Sequence, residues 1–261
     1  SFTAKWRRIE NLTPVTAALA ELTGNLAIPV RDSVQPSVTD ITKAVSKYGN
    51  YMLLNEEVDV VNFTGQSDKL VEILGINAGM SLNRLQRDEM EDNATAILAN
   101  GVAAVTDIVT KLARNDIKKA VNTLNRNTAS TFLPMTEGSD RVGTSPMRDS
   151  YWGICHSDVE EDIRDMTGFI AVESYASQTA VSPGEFGAVG GVRWLSTEES
   201  SIDLAAGGAI GATGLRSVAG VKVDVYNSVV FGKDAVGSLG FGKEHIKEIY
   251  TAGDKLPSVL L

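Results

Sequence analysis

The sequence predicts an α+β fold, and three observations carry that reading. Its first sixty-odd residues are patterned as extended chain, residues 66–99 carry apolar side chains at helical spacing, and the second half alternates short strands with short helices across glycine-rich connections.

The elements follow in order. Residues 5–12 read as one strand. Residues 38–54 (VTDITKAVSKYGNYMLL) are rich in β-branched and aromatic residues and read as a long strand, or as a pair broken at Gly49. Pro14, Gly24, Pro29 and Pro36 punctuate the stretch between them. So little lies there to form a core that the two strands are expected to make a projecting arm or hairpin resting on another molecule. In residues 66–99, Leu70, Ile73, Leu74, Ala78, Leu82 and Leu85 mark one helical face, with Thr64 or Ser67 placed to cap it. Thirty-odd residues of helix reach ~45 Å. Gly75 and Gly79 weaken such a helix, and their spacing predicts a face that another backbone approaches closely.

A second helix is predicted over 116–126, where Ile117, Ala120, Val121 and Leu124 share a side. Residues 132–150 read as a loop, 152–156 as a strand, 158–164 as a short helix, 189–195 as a strand and 221–231 as another. The Gly-, Ala- and Ser-rich residues 205–220 read as a flexible surface loop. The chain starts at Ser1 and stops on the apolar run LPSVLL, so it is expected to be processed or trimmed and to continue past a strand at its end.

Composition bounds the function. The 261 residues, 43% hydrophobic and 22% charged, suit a folded protein with a substantial core. A net charge of −9 argues against a dedicated nucleic-acid binder, and Lys5-Trp6-Arg7-Arg8, the best candidate for a local basic patch, is read as a solvated arm. With one cysteine, Cys155, there is no internal disulfide and no paired-cysteine metal site, and two histidines, His156 and His245, are too few for a three-histidine zinc centre. No apolar run approaches the ~20 residues that span a bilayer, so no membrane partner is expected.

Chemistry is sought in four places. GSLGFGKE, from Gly237 to Glu244, is one letter short of the phosphate-cradling P-loop and follows a strand-like run. Glu244 stands where a Ser or Thr must bind magnesium, and its carboxylate would repel phosphate. Cys155 and His156 are adjacent, so on a strand they point to opposite faces and the imidazole does not activate the thiol; a half-buried strand is expected. Glu160-Glu161-Asp162 reads as a solvated helix face, and Asp88 to Asp92 lacks the central glycine of a calcium loop and reads as the wet side of the long helix. No catalytic, cofactor-binding or metal-ligating residue is therefore assigned, and no cofactor is expected. A P-loop-like nucleotide-binding enzyme using Gly237 to Lys243 is the alternative from a different class.

Five stretches together resemble one family. VTDITKAVSKYGNYMLLNEEVDV and LVEILGINAGMSLNRLQRDEM resemble the extended segment and long helix of phage major capsid proteins, in the branch typified by the coat protein of the lytic coliphage N-four. HSDVEEDIRDMTGF, GEFGAVGGVRWLST and VKVDVYNSVVFGKDAVG are similar to later segments of that family, in the same order. Ser157 departs from the family's proline after the histidine, and the family's later return to the peripheral domain has no counterpart before Leu261. The resemblance implies a Hong Kong 97-type capsid fold: residues 1–63 as N-terminal arm remnant and extended loop, 64–110 as peripheral domain with its spine helix, and 111–261 as mainly axial domain. It implies a non-enzymatic major head protein of the virion, assembled in the host bacterial cytoplasm. Homo-pentamers and homo-hexamers would form an icosahedral shell around double-stranded DNA, with scaffold, portal and decoration proteins as partners. An encapsulin-like protein compartment shares that fold and is the nearer alternative.

Overall fold

The computed structural model describes residues 3–9, 12, 14, 16, 35–46, 48–52, 66–132, 149–175, 181–211, 215–237, 247–249 and 258–260. They form a mixed helix-and-sheet fold in two compact units, one made of Ser1–Leu70 with Gly237–Leu261, the other of Val71–Val236.

In the first unit, β1 (Thr3–Ile9) and β2 (Val38–Ala44) pair antiparallel from Thr3 opposite Ala44 to Ile9 opposite Val38. These are the hairpin strands expected from the β-branched runs. Of the two readings of residues 38–54 the structure has the pair, not the single long strand: β2 ends at Ala44 and a separate β3 starts at Gly49 (Gly49–Asn50). Across the ribbon Arg7 faces Asp40, whose carboxylate also lies 2.7 Å from Lys5, so the basic cluster is partly neutralised in cis. The strand expected at the chain's end is present: β12 (Ser258–Leu260) pairs antiparallel with both β11 (Lys247–Ile249) and β3.

The second unit takes most of α1 (Gln66–Asn93), 28 residues and ~42 Å long. The helix stops six residues before the predicted end. Asn93 turns its side-chain amide back onto the carbonyl of Glu89 at 2.9 Å, and the N–H of Ala94 reaches only three residues back, to Glu91. A 3-10 turn follows at Ala99–Gly101, where Asn100 and Gly101 have φ of 55° and 71°. Leu70, Leu74, Ala78, Leu82 and Leu85 face inward, Ala78 most deeply, but Ile73 is 49% exposed. One residue's step of about 100° takes Ile73 off that stripe. Arg84 bonds the carboxylate of Glu199 and Arg87 its backbone carbonyl, both at 2.7 Å, so the last turns of α1 are pinned to the turn after the central sheet.

α2 (Arg114–Arg126) starts two residues before its predicted first residue. Asp116, in its first turn, accepts the backbone N–H groups of Asn100 and Ala113, so one carboxylate caps the helix and holds the preceding 3-10 turn. Ile117 is buried, with Val121 and Leu124 packed behind it.

The core lies on a five-stranded sheet of order β10-β4-β7-β6-β5, built from β4 (Tyr151–His156), β5 (Ile170–Ala171), β6 (Glu185–Val189), β7 (Val192–Thr197) and β10 (Val229–Phe231). β4 and β7 run parallel and the other pairs antiparallel. The single strand predicted over 189–195 is in fact the hairpin β6–β7. Gly190 and Gly191, at φ of 67° and 89°, make its two-residue turn, a conformation that glycine adopts without steric cost. Gly153 lies under the core, where a Cβ would meet Trp194 and Val192 at 2.7 Å.

The strand predicted over 221–231 also divides. β9 (Val225–Tyr226) pairs with β8 (Ile202–Asp203), while β10 pairs with β4. Asn227 makes the transfer, its side-chain amide bonding Ser201 and Asp203. The described part of the Gly-rich stretch 205–220 is a largely exposed loop, as expected, but it is anchored near its start. Gly207 and Gly208 press on residues 106–109, where Cβ atoms would fall 2.8 Å from the Ile108 carbonyl and 2.6 Å from Val109. Of the predicted loop 132–150, residues 133–148 lie outside the described residues, as do Ala212, Thr213 and Gly214.

Candidate functional site

The residues that invited a chemical reading are placed for structure. β4 is buried on both faces, so Cys155 is fully enclosed and His156 only 7% exposed, where a half-buried strand was expected. The cause is position: β4 lies between β10 and β7 with α3 (Ser157–Arg164) above it. Burial first, then the nearby Glu160 carboxylate, pushes the Cys155 thiol up to about 12. A thiol so held is an inert core group at neutral pH. His156 caps α3, its Nδ1 accepting the N–H of Asp158 at 3.1 Å, so that nitrogen's lone pair is already committed. Glu160 pairs with Arg164 within α3 and Asp162 with Lys111 outside it, both at 2.6 Å, while Glu161 faces solvent.

Among the described residues no group of three or more His, Cys, Asp or Glu side chains is placed to hold a metal ion. No helix among them is long and apolar enough to cross a membrane. Of the P-loop lookalike only Gly237 is described, and a Cβ there would stand 3.1 Å from Nε1 of Trp6. Residues 238–244 and His245 lie outside the described residues.

Sequence reasoning passed over the largest buried charge. Arg193 on β7 and Glu185 on β6 form a bidentate pair at 2.5 and 2.6 Å, their side chains 2% and 0% exposed. The guanidinium stacks between the rings of Trp152 and Tyr175, at 4.9 and 5.3 Å. Burial first, and the Glu185 carboxylate second, raise the Tyr175 hydroxyl well above its ordinary value. The signal was present in the GEFGAVGGVRW run, as an acid on one side of Gly190-Gly191 and a base on the other. Such a pair fixes the hairpin's register and offers no reacting group to solvent.

Two described surfaces expose apolar side chains. On α1, Val71, Ile73, Ile76 and Met80 are 45%, 49%, 59% and 39% exposed, and three of them, Ile73, Ile76 and Met80, share one side of the helix. Cβ atoms built on Gly75 and Gly79 meet nothing within 4 Å. The close backbone approach predicted for these glycines is therefore absent among the described residues of the chain, and their side is open. On the β1–β2 ribbon, Ile9, Val38 and Ile41 are 68%, 54% and 46% exposed, and both outer edges of the ribbon lack a partner strand among the described residues. A two-stranded ribbon with exposed faces is marginal by itself and gains stability on a neighbouring surface.

No family model and no curated protein sequence matches the chain. Solved structures do. The capsid of Ralstonia phage GP4 superposes with a TM-score of 0.58 at 12% identity, covering 99% of this chain and 76% of that one. A structure from Mycobacterium phage Che8 (TM-score 0.45, 10% identity, 99% of this chain and 77% of that one) and the capsid of cyanophage P-SCSP1u (0.48, 11%, 99% and 77%) also match. The likeness to the Ralstonia phage capsid covers 99% of the chain, and the fold is that of a phage capsid protein.

Proposed function

We propose that the chain is a non-enzymatic major capsid protein of the Hong Kong 97 type that self-assembles into pentamers and hexamers of an icosahedral shell enclosing double-stranded DNA. The observation that carries this reading is the likeness to the Ralstonia phage capsid over 99% of the chain at a TM-score of 0.58. The five family-like stretches support it from the sequence side and favour the branch of the coliphage N-four coat protein.

On this reading residues 1–63 are arm remnant and extended loop, 64–110 the peripheral domain with α1 as spine helix, and 111–261 mainly the axial domain. The β1–β2 ribbon then lies over a neighbouring copy. The α1 stripe of Ile73, Ile76 and Met80 is covered by another copy rather than by solvent. Rings of five and six require heterologous contacts in slightly different geometries, which a pliant ribbon beside a stiff helix accommodates. Scaffold, portal and decoration proteins are the further partners. DNA is held by confinement, in keeping with a net charge of −9. The protein's place is the virion, after assembly in the host bacterial cytoplasm.

The test is electron microscopy of the purified protein. Closed shells containing nucleic acid are expected. Shells containing an enzyme cargo instead would identify a protein compartment, and small particles that hydrolyse ATP, with activity lost in Lys243→Ala, would overturn the shell reading in favour of a P-loop enzyme.

A further inference from the structure

A cavity of about 350 Å³ opens within the second unit, between the end of α1, α2 and the strands β7, β9 and β10. Its walls are mostly apolar, with Leu98, Ile108, Ile117, Val159, Val225 and Val230 contributed by separate segments. That volume is in the range of small-molecule sites, and walls drawn from several fixed elements make it largely preformed.

Four carboxylates and two cations line it: Glu91, Asp116, Asp162 and Asp224 against Lys111 and Arg216. The charge balance is therefore acidic. Almost all of these groups are already committed. Asp116 accepts from the backbone of Asn100 and Ala113, and Asp224 from that of Ala205 and Val218. Asp162 pairs with Lys111, and Arg216 is bound to the backbone carbonyl of Asp158.

Two polar atoms are left over. Oε1 of Glu91 has no hydrogen-bond partner, although Ser201 serves the other oxygen at 2.6 Å. Arg87 makes only a long ion pair with Oε1, at 4.0 Å, and its hydrogen bonds go to Asp88 and the Glu199 carbonyl. Nε1–H of Trp194, a residue 1% exposed, has no acceptor. A buried donor and a buried carboxylate oxygen without partners each carry a desolvation cost that a complementary ligand removes.

We propose that this cavity binds a small amine with an apolar body, its ammonium held by Glu91 and a hydroxyl or carbonyl oxygen accepting from the Trp194 indole. Glu91 belongs to the last turn of α1 and Trp194 to β7, so an occupant ties the end of the long helix to the central sheet. The inference stands apart from the shell reading, since every residue in it belongs to one unit of one chain and the test is read on unassembled protein.

Tyramine is the probe, because it carries an ammonium, an aromatic body and a hydroxyl in one molecule. Titrated at millimolar concentration against the full chain, it is expected to raise the melting temperature saturably. Glu91→Gln should weaken the apparent affinity by about tenfold or more while leaving the ligand-free melting temperature close to wild type. Ala120→Leu, which fills the cavity from α2, should abolish the response without lowering stability; Ala120→Val serves if the larger side chain unfolds the protein. Phenethylamine, lacking the hydroxyl, should bind more weakly, and the anion 3-(4-hydroxyphenyl)propionate should not bind. No saturable response in the wild type, equal affinity in Glu91→Gln, or equal binding of the anion would overturn the proposal.

Discussion

Ile76→Asp separates assembly from folding. Ile76 is 59% exposed on α1, between Ile73 and Met80 on the same side of the helix. Because only about two-fifths of it is buried within the chain, its replacement should change the stability of the unassembled protein by no more than about 1 kcal/mol. On the shell reading, the cost appears when another copy covers it. Complete burial of an isoleucine side chain is worth about 1.5–3 kcal/mol, so the fraction still exposed here is worth roughly 1–2 kcal/mol per copy. A carboxylate in its place adds the penalty of taking an unpaired charge from water, several kcal/mol more. At about 1.4 kcal/mol per tenfold, the concentration needed for assembly should rise by a factor of a hundred or more. The assay pairs light scattering or sedimentation, which reads assembly, with urea denaturation of the unassembled chain. Wild-type denaturation with assembly lost is expected. A large fall in intrinsic stability would mean that the chain itself covers this stripe, and wild-type assembly would mean that nothing does; either result refutes the reasoning.

Other perturbations probe the remaining elements. Gly79→Leu should leave the unassembled chain as stable as wild type or up to about 0.8 kcal/mol more so, since a helix former enters open space, and should impair assembly if another copy's backbone approaches that side; a lower melting temperature with intact assembly would contradict both halves. Gly153→Ala should cost about 1–3 kcal/mol in urea denaturation, because its Cβ falls 2.7 Å from Trp194 and Val192, and unchanged stability would show that the core relaxes freely there. Cys155 sets an alkaline limit. Its thiol is pushed to about 12 from an ordinary 9.0, so the unfolded chain loses this proton first and stability falls as pH rises above 9. Relative to Cys155→Ala, the wild type should lose about 1.4 kcal/mol for each pH unit above that point, and parallel pH profiles for the two proteins would remove the burial argument.

The elements that could be read from sequence are those whose pattern is local. The long helix, α2 and the β4–α3 pair each show their period locally; the structure places α2, β4 and α3 within two residues of the expected bounds, while the long helix starts where expected and ends six residues early. The misses have non-local causes. An apolar run through Gly190-Gly191 reads as one strand until the positive φ of both glycines folds it back. The run at 221–231 is divided by the bonds Asn227 makes to Ser201 and Asp203, more than twenty residues away. Composition made residues 205–220 a loop, but the missing side chains at Gly207 and Gly208 are what lets the chain press on Ile108 and Val109. For the candidate surfaces, periodicity found an apolar helix without saying which apolar residues stay outside. Ile73 and Leu74 are equally apolar neighbours in the sequence, and only the fold leaves Ile73 exposed and Leu74 half-buried. The buried Arg193–Glu185 pair escaped because charged residues at alternating strand positions usually face water.

The most direct measurement is an electron cryo-microscopy reconstruction of particles formed by the purified protein. The shell reading predicts closed icosahedral particles of five- and six-membered rings, with the β1–β2 ribbon and the Ile73–Ile76–Met80 stripe of each copy covered by its neighbours. A population that stays monomeric or dimeric at assembly concentrations, with that stripe still facing solvent, would contradict it.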